Sequence, residues 1–283
     1  MRGKNPLVSV IVPTYNQADL LKRSLQSLRD QTFPDWDAIV IDNHSDDETK
    51  EVVEILHDSR IQYQTIHNNG IIAASRNLGI RHANGEYIAF LDSDDLWYPS
   101  KLSECIKILQ QDKEIVCHGL WIRKDGILQN KLIPVSSSQN FYETLLYTGN
   151  TLIATSAVMM KKQCFDRFGF FSEDPAIVTA EDFELWLRLS KKNIKWGFIP
   201  EVLGEYMVHS KNASGNVNRQ MLAEEHVVMK YFAENASPQI IERLFYRKRR
   251  VMLVLRAGVR VWQSGHRCDS MSYFFKGLSR IFC

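Results

Sequence analysis

The sequence predicts an α/β fold built on a Rossmann-like, doubly wound, mostly parallel sheet, and three features carry that reading. LVSVIV at 7–12 is an unbroken β-branched apolar run, the pattern of a strand buried on both faces. Strand-like and helix-periodic segments then alternate, the order expected of βαβ units. Thr14, Asp42 and Asp92 each close an apolar run, and in doubly wound sheets ligands sit beyond those ends.

Taken in order, the first strand closes at Pro13. Leu20, Leu21, Leu25 and Leu28 recur at three- and four-residue spacing and mark a helix from Asp19. TFPDW returns the chain to a second strand, AIVI, which ends at Asp42. A helix over 47–57, a strand near 61–66 and a helix over 71–83 follow, then the turn Asn84-Gly85 and the strand EYIAFL. After a helix at 99–111 the pattern is less regular, with strands expected near 115–123 and 151–160 and a helix over 181–191. Beyond 216 two or three helices are expected, over 219–235, 239–263 and 269–281, separated by Ser237-Pro238 and Ser264-Gly265. The chain therefore divides into a domain of residues 1–215 and a helical extension of residues 216–283.

A length of 283 residues suffices for one large core with a smaller appendage. With 45% apolar and 24% charged residues the composition is globular and excludes disordered or collagen-like classes. MRGKNPLVSVIVP lacks the apolar stretch and small-residue cleavage site of a signal peptide, and no run reaches the roughly 18 apolar residues of a membrane span, so a cytoplasmic location is expected. Cys105, Cys117, Cys164, Cys268 and Cys283 are odd in number and form no CxxC pair, which argues against a disulfide framework and a zinc site.

DSDD at 92–95 brings up to three carboxylates, Asp92, Asp94 and Asp95, within reach of one cation at a strand end. Hard divalent ions such as Mn²⁺ or Mg²⁺ prefer such oxygen ligands. Strand ending and helix capping also use Asp and Ser, but capping needs one carboxylate, whereas three repel one another unless a cation neutralises them.

VSVIVPTYNQADLLKRSLQSLRDQT, VIDNHSDD, ASRNLGIRHANGEYIAFLDSDDLWYPSKL, GFFSEDPAIVTAEDFELWLRLS and LGEYMVHSKNAS together resemble glycosyltransferase family 2, in the same order and at similar spacing over residues 7–215. The resemblance implies a GT-A fold with a nucleotide-binding half and an acceptor-binding half, and transfer with inversion from a nucleoside-diphosphate sugar. It implies that Pro13, Thr14, Tyr15, Asn16 and Asp42 hold the nucleobase and that Arg76 and Asn77 contact the donor. Asp92, Ser93 and Asp94 lie at the donor pyrophosphate, with Asp92 and Asp94 on the metal. His209 aligns with a family histidine that closes on metal or phosphate, although the family often has arginine where this chain has Met207. For Asp42 a strand-ending turn is the alternative, with Ser45, Asp46 and Asp47 capping the next helix.

Inversion needs one carboxylate to accept the acceptor's hydroxyl proton, and the resemblance places it in the ED pair, with Asp182 as base and Glu181 on the acceptor. The same residues read alternatively as a capping box from Thr179 to Asp182. Trp97 and Trp186 suit either sugar stacking or the core.

From Arg219 onward there are twelve Lys and Arg against five Asp and Glu. In 239–263, Ile240, Leu244, Val251, Leu255, Val259 and Trp262 form an apolar stripe, with Arg243, Arg247, Lys248, Arg249, Arg250, Arg256 and Arg260 around it. Such a helix suits the surface of an anionic membrane, where a lipid-linked saccharide acceptor would lie, or a core-packed helix with a solvated basic face. No nucleic-acid recognition motif accompanies the charge. The rivals are a silent sugar-nucleotide-binding scaffold of the same fold and a nucleotidyltransferase, but PTYNQADLL lacks the glycine-rich phosphate loop of the latter.

Overall fold

Strands β1 (Val8–Thr14), β2 (Trp36–Asp42), β3 (Ile61–Thr65) and β4 (Tyr87–Phe90) run parallel in the order β3-β2-β1-β4. The structure, a computed structural model, describes residues 5–134, 141–149, 153–209, 212, 216–234, 249, 251–259, 261 and 273. Every residue of β1 and β2 is buried, as their β-branched runs require, and Thr14 stands opposite Asp42, so the two strands finish level. Helices α1 (Ala18–Arg29), α2 (Thr49–Ile55) and α3 (Ile72–His82) make the crossovers. On α1 the buried face is Ala18, Leu21, Ser24, Leu25 and Leu28, while Leu20 sits half-buried at its flank.

Past β4 the strand direction changes. The sheet continues through β5 (Leu96–Trp97), α4 (Lys101–Leu109), β6 (Ile115–Lys124), β7 (Ile127–Leu132), β8 (Val158–Lys161) and β9 (Trp196–Val208), giving β3-β2-β1-β4-β8-β6-β9-β5 with β7 on β6. β8 is antiparallel to β4 and β6, whereas β9 runs parallel to β6 and antiparallel to β5. The strand expected near 151–160 is the short β8, preceded by a 3₁₀ turn at Thr155–Ala157; residues 151 and 152 lie outside the described ones.

β5, β7 and β9 have no counterpart among the expected strands. β9 contains Gly197, Pro200 and Gly204, which read as breakers, and its pairing with β6 shifts register between His118 and Gly119 and again before Trp121. A Cβ on Gly204 would stand 2.4 Å from the Leu96 carbonyl, so the glycine admits β5. Arg123 on β6 meets Glu205 on β9 in a two-pronged pair at 2.5 and 2.9 Å, and Tyr98 donates to the same carboxylate.

Contacts group the chain into two compact units. Met1–Ser137, Thr151–Phe171 and Lys191–His209 form one, which holds the whole sheet and α6 (Gln163–Phe168). Ser138–Asn150, Ser172–Ser190 and Ser210–Cys283 form the other. The expected division at 215 does not coincide with these units, because the helix carrying Glu181 and Asp182 groups with the C-terminal segment.

The second unit contains α5 (Phe141–Thr148), α7 (Glu181–Lys191), α8 (Val217–Glu234) and helical residues 251–259. Glu184 on α7 is buried and accepts from Arg188 Nε at 3.1 Å and Tyr231 Oη at 2.9 Å, which ties α7 to α8. Leu253, Val254 and Ala257 pack with Met221, whereas Val259 is exposed, so the buried face is not the expected stripe. Arg249, expected among the solvated cations, is buried with Glu224 at 3.3 Å. Ile240, Arg243, Leu244, Arg247, Lys248, Arg250, Arg260, Trp262 and most of 269–281 lie outside the described residues. Cys105, Cys117 and Cys164 are buried and free; Cys268 and Cys283 lie outside the described residues. Among the described residues no helix is long and apolar enough to cross a membrane.

The Asn84-Gly85 turn brings the Gly85 backbone against β1: its amide donates to Ser9 Oγ at 2.9 Å, and a Cβ there would lie 2.5 Å from Ser9 N. Backbone of a buried strand cannot yield, so Gly85→Ala is expected to destabilise the fold by about 1–3 kcal/mol. The check is a lowered denaturant midpoint at unchanged slope.

Candidate functional site

Three carboxylates fall within the four residues 92–95, just after β4. Asp92 Oδ1 pairs with Arg76 Nη2 at 2.8 Å, with the guanidinium itself almost wholly buried and lying 5.5 Å over the ring of Phe171. Asp94 Oδ2 meets His209 Nε2 at 2.9 Å. Burial, and then the charge of Asp92, push the Asp94 carboxyl up to about 6, against the opposing pull of His209. Ser93 donates to Gln17 Oε1 at 2.6 Å.

Asp95 departs from expectation. Its carboxyl turns inward, accepting from Ser156 Oγ at 2.5 Å and from the Met207 amide at 2.9 Å, so it is not aimed at a shared cation. Burial first, then the charges of Asp94 and Asp92, hold it well above the usual carboxylate range.

The expected metal set of Asp92, Asp94 and His209 is not assembled as three converging ligands. Among the described residues no group of three or more His, Cys, Asp and Glu is placed to hold a metal ion. Asp92 is drawn to Arg76 and His209 to Asp94, each carboxylate taking its own cationic or hydrogen-bonding partner. The residues nonetheless fit a divalent ion of the Mg²⁺ type, which needs only one or two carboxylates when phosphate oxygens complete its shell. The donor set supports this: two carboxylates stand two residues apart after β4, with an imidazole nitrogen 2.9 Å from one of them.

Of the residues expected at the nucleobase, Pro13 and Thr14 end β1, Thr14 Oγ1 is buried with no hydrogen-bond partner among the described residues, and Tyr15 is exposed. Asn16, at φ 49°, accepts from the Asp46 amide at 2.9 Å and donates its own amide to Ser45 Oγ at 2.8 Å. Asp42 is occupied: it accepts from Ser45 Oγ at 2.5 Å, the Ser45 amide at 3.1 Å and Tyr63 Oη at 2.6 Å. That is the strand-ending turn held open as its alternative. Asp47 serves two helices, accepting from Ala18 N at 2.9 Å and Thr49 N at 3.1 Å.

Asn77 was expected on the donor beside Arg76. Instead its amide donates to the Phe171 carbonyl at 2.9 Å and accepts from the Phe171 amide at 3.0 Å, which pins the backbone beneath the Arg76 guanidinium. Trp186 is wholly buried and Trp97 nearly so, in keeping with the core alternative that the sequence holds open for both. Trp97 also lies under the Lys101 ammonium, 3.5 Å from the ring centre, and burial lowers that lysine to about 8.

In the second unit the capping box does not form. Glu181 Oε2, not Asp182, accepts from the Thr179 amide at 2.8 Å, and Thr179 Oγ1 is buried without a partner among the described residues. Asp182 Oδ1 accepts from the neighbouring Phe183 amide at 2.6 Å. Thr179 itself sits at φ 83°, a strained conformation for a β-branched residue.

A parallel half continued by a mixed half, with carboxylates at the β4 end, places the fold in the GT-A class of glycosyltransferases. The mannosyltransferase PcManGT from Pyrobaculum calidifontis, solved with GDP-Man and Mn²⁺, shares this fold at TM-score 0.62 and 18% identity, over 98% of this chain and 86% of its own. The family described as Glycosyl transferase family 2 matches residues 9–168. Two Escherichia coli proteins, named as UDP-Glc:alpha-D-GlcNAc-diphosphoundecaprenol beta-1,3-glucosyltransferases, are similar along most of the chain. WfaP is 31% identical over 85% of this chain and 92% of its own, and WfgD 30% identical over the same shares. The chain belongs to glycosyl transferase family 2.

Removing the two bonds that Asn77 makes to Phe171 is expected to cost about 2–3 kcal/mol in Asn77→Ala. Nucleotide affinity of the folded fraction should be unchanged, as titration of the variant against nucleoside diphosphate will show; a fall in affinity at intact stability would return Asn77 to the donor.

Proposed function

We propose that the protein is an inverting, metal-dependent glycosyltransferase that moves a sugar from a UDP-sugar to a hydroxyl of a saccharide or lipid-linked saccharide. The observation that carries this reading is the pair of carboxylates after β4, Asp92 held by Arg76 and Asp94 by His209. Asp92 and Asp94 would hold a divalent cation, Mn²⁺ or Mg²⁺, with His209 closing on the metal or on phosphate. Bound there, such a cation stabilises the negative charge that grows on the departing nucleoside diphosphate. Arg76 adds a second, permanent positive charge beside the same carboxylates.

Asp182 is the proposed base, receiving the acceptor hydroxyl proton as the oxygen attacks, with Glu181 ordering the turn before it. Its place in the first turn of α7 favours the ionised form, which a base requires. Backbone strain at Thr179 supports a functional site here, because strained residues persist where the surroundings over-determine them. Pro13, Thr14, Tyr15 and Asn16 would border the nucleobase, with Asp42 shaping the loop that receives it. The UDP donor and lipid-linked acceptor follow the names of the similar E. coli proteins. A lipid-linked acceptor also gives the basic surplus beyond Arg219 a partner, an anionic membrane surface.

The test is a thermal-shift and hydrolysis screen of UDP-, GDP- and TDP-sugars with Mn²⁺, Mg²⁺ and chelator. A shift that needs both metal and one nucleotide is expected. No response from folded protein to any of them would favour the silent scaffold. Asp182→Asn is expected to lower transfer by about 10²–10⁴-fold while nucleotide binding persists. Asp94→Ala is expected to abolish the response to metal; full, metal-independent activity in that variant would remove the metal from the mechanism.

A further inference from the structure

Asp95 is buried, takes no part in the donor contacts described above, and yet joins three chain segments far apart in sequence. Its Oδ2 accepts from Ser156 Oγ, and that same hydroxyl accepts from the Asp92 amide at 3.0 Å. Its Oδ1 accepts from the amide of Met207, two residues before His209. Its own amide closes the turn on the Asp92 carbonyl at 3.0 Å. Ser156 is fixed in turn, since its carbonyl accepts from Trp97 Nε1 at 2.8 Å, and the Trp97 amide donates to Ser27 Oγ at 3.1 Å.

The consequences are geometric. One bond sets the end of β9, and hence His209, relative to the turn that bears Asp94. The Ser156 hydroxyl sets the start of that turn, and hence Asp92. A buried carboxyl is a costly way to fill space, and an apolar side chain of similar volume often serves stability as well or better. What an apolar side chain lacks is directional bonding to a hydroxyl and an amide at once.

We propose that Asp95, acting with Ser156, is a positioning residue that fixes the Asp92–Asp94 turn against the end of β9, so that Asp92 and Asp94 stand where a metal-complexed nucleoside diphosphate binds. This rests on the donor-site reading above. Partners that orient metal-binding side chains commonly change metal affinity when removed, although they touch no ligand themselves.

The experiment titrates UDP, and separately uridine, into the wild-type protein, Asp95→Asn, Asp95→Ala and Ser156→Ala, each with Mn²⁺ and with chelator. In Asp95→Ala and Ser156→Ala the affinity gained by UDP from Mn²⁺ is expected to fall about tenfold. Uridine affinity should not move, since it lacks the diphosphate, and Asp95→Asn should keep most of the gain because its amide oxygen still accepts from Met207. A common decline of UDP and uridine would mean a merely structural role and overturn the proposal, as would an undiminished Mn²⁺ gain in Asp95→Ala. Should Asp95→Ala not fold, Ser156→Ala decides on the same criteria. If wild-type UDP affinity is the same with Mn²⁺ and chelator, the donor-site reading itself fails and the proposal with it.

Discussion

Three carboxyl groups leave the end of one buried strand within four residues, and their mutual repulsion in a poorly solvated site is the constraint around which the sheet unit is arranged. Coulomb repulsion between such groups grows as solvent is withdrawn. Each carboxyl is therefore given a different partner: Asp92 a guanidinium from α3, Asp94 an imidazole from beyond β9, and Asp95 a hydroxyl and an amide in the interior. The partners come from 76, 156, 207 and 209, so these side chains are paired only once α3, the turn before β8 and the end of β9 are in place.

The mixed half of the sheet makes that arrangement possible. β8 pairs antiparallel with β4 and brings the Ser156 turn next to Asp92. β9 is the long strand that delivers Met207 and His209, and the Arg123–Glu205 pair holds its outer part to β6. In the second unit, Glu184 plays a comparable part for α7, binding Arg188 on its own helix and Tyr231 on α8, so the helix bearing Asp182 is tied down by a residue two positions away.

Much of the parallel half is legible in the sequence because its signals are local. β-branched runs, helical spacing of Leu21, Leu25 and Leu28, and the Asn84-Gly85 turn each report on neighbours within one or two turns of chain. β9 was missed because Gly197, Pro200 and Gly204 break the local pattern, and only register shifts against β6 and close approach of β5 explain them. For Trp186 and Asn77 a motif does not disclose which way a tryptophan or asparagine side chain faces; here Trp186 is buried and the Asn77 amide bonds the Phe171 backbone. Asp42 shows the opposite, a residue whose alternative reading as a turn former was available from Ser45 nearby in sequence.

The sequence by itself determined the parallel core, the strand ends at Thr14, Asp42 and Asp92 and the crowding of acid at 92–95, because periodicity is written along the chain, and its motifs carried the resemblance to the glycosyltransferase family. Only tertiary structure decided which of those acids point outward, since that depends on partners 61 to 115 residues away in sequence. It separated Asp95 from Asp92 and Asp94, which the motif DSDD presents as equivalents. The physical reason is that a carboxyl's role follows from the donors and charges around it, and those are brought together by strand order rather than by sequence proximity.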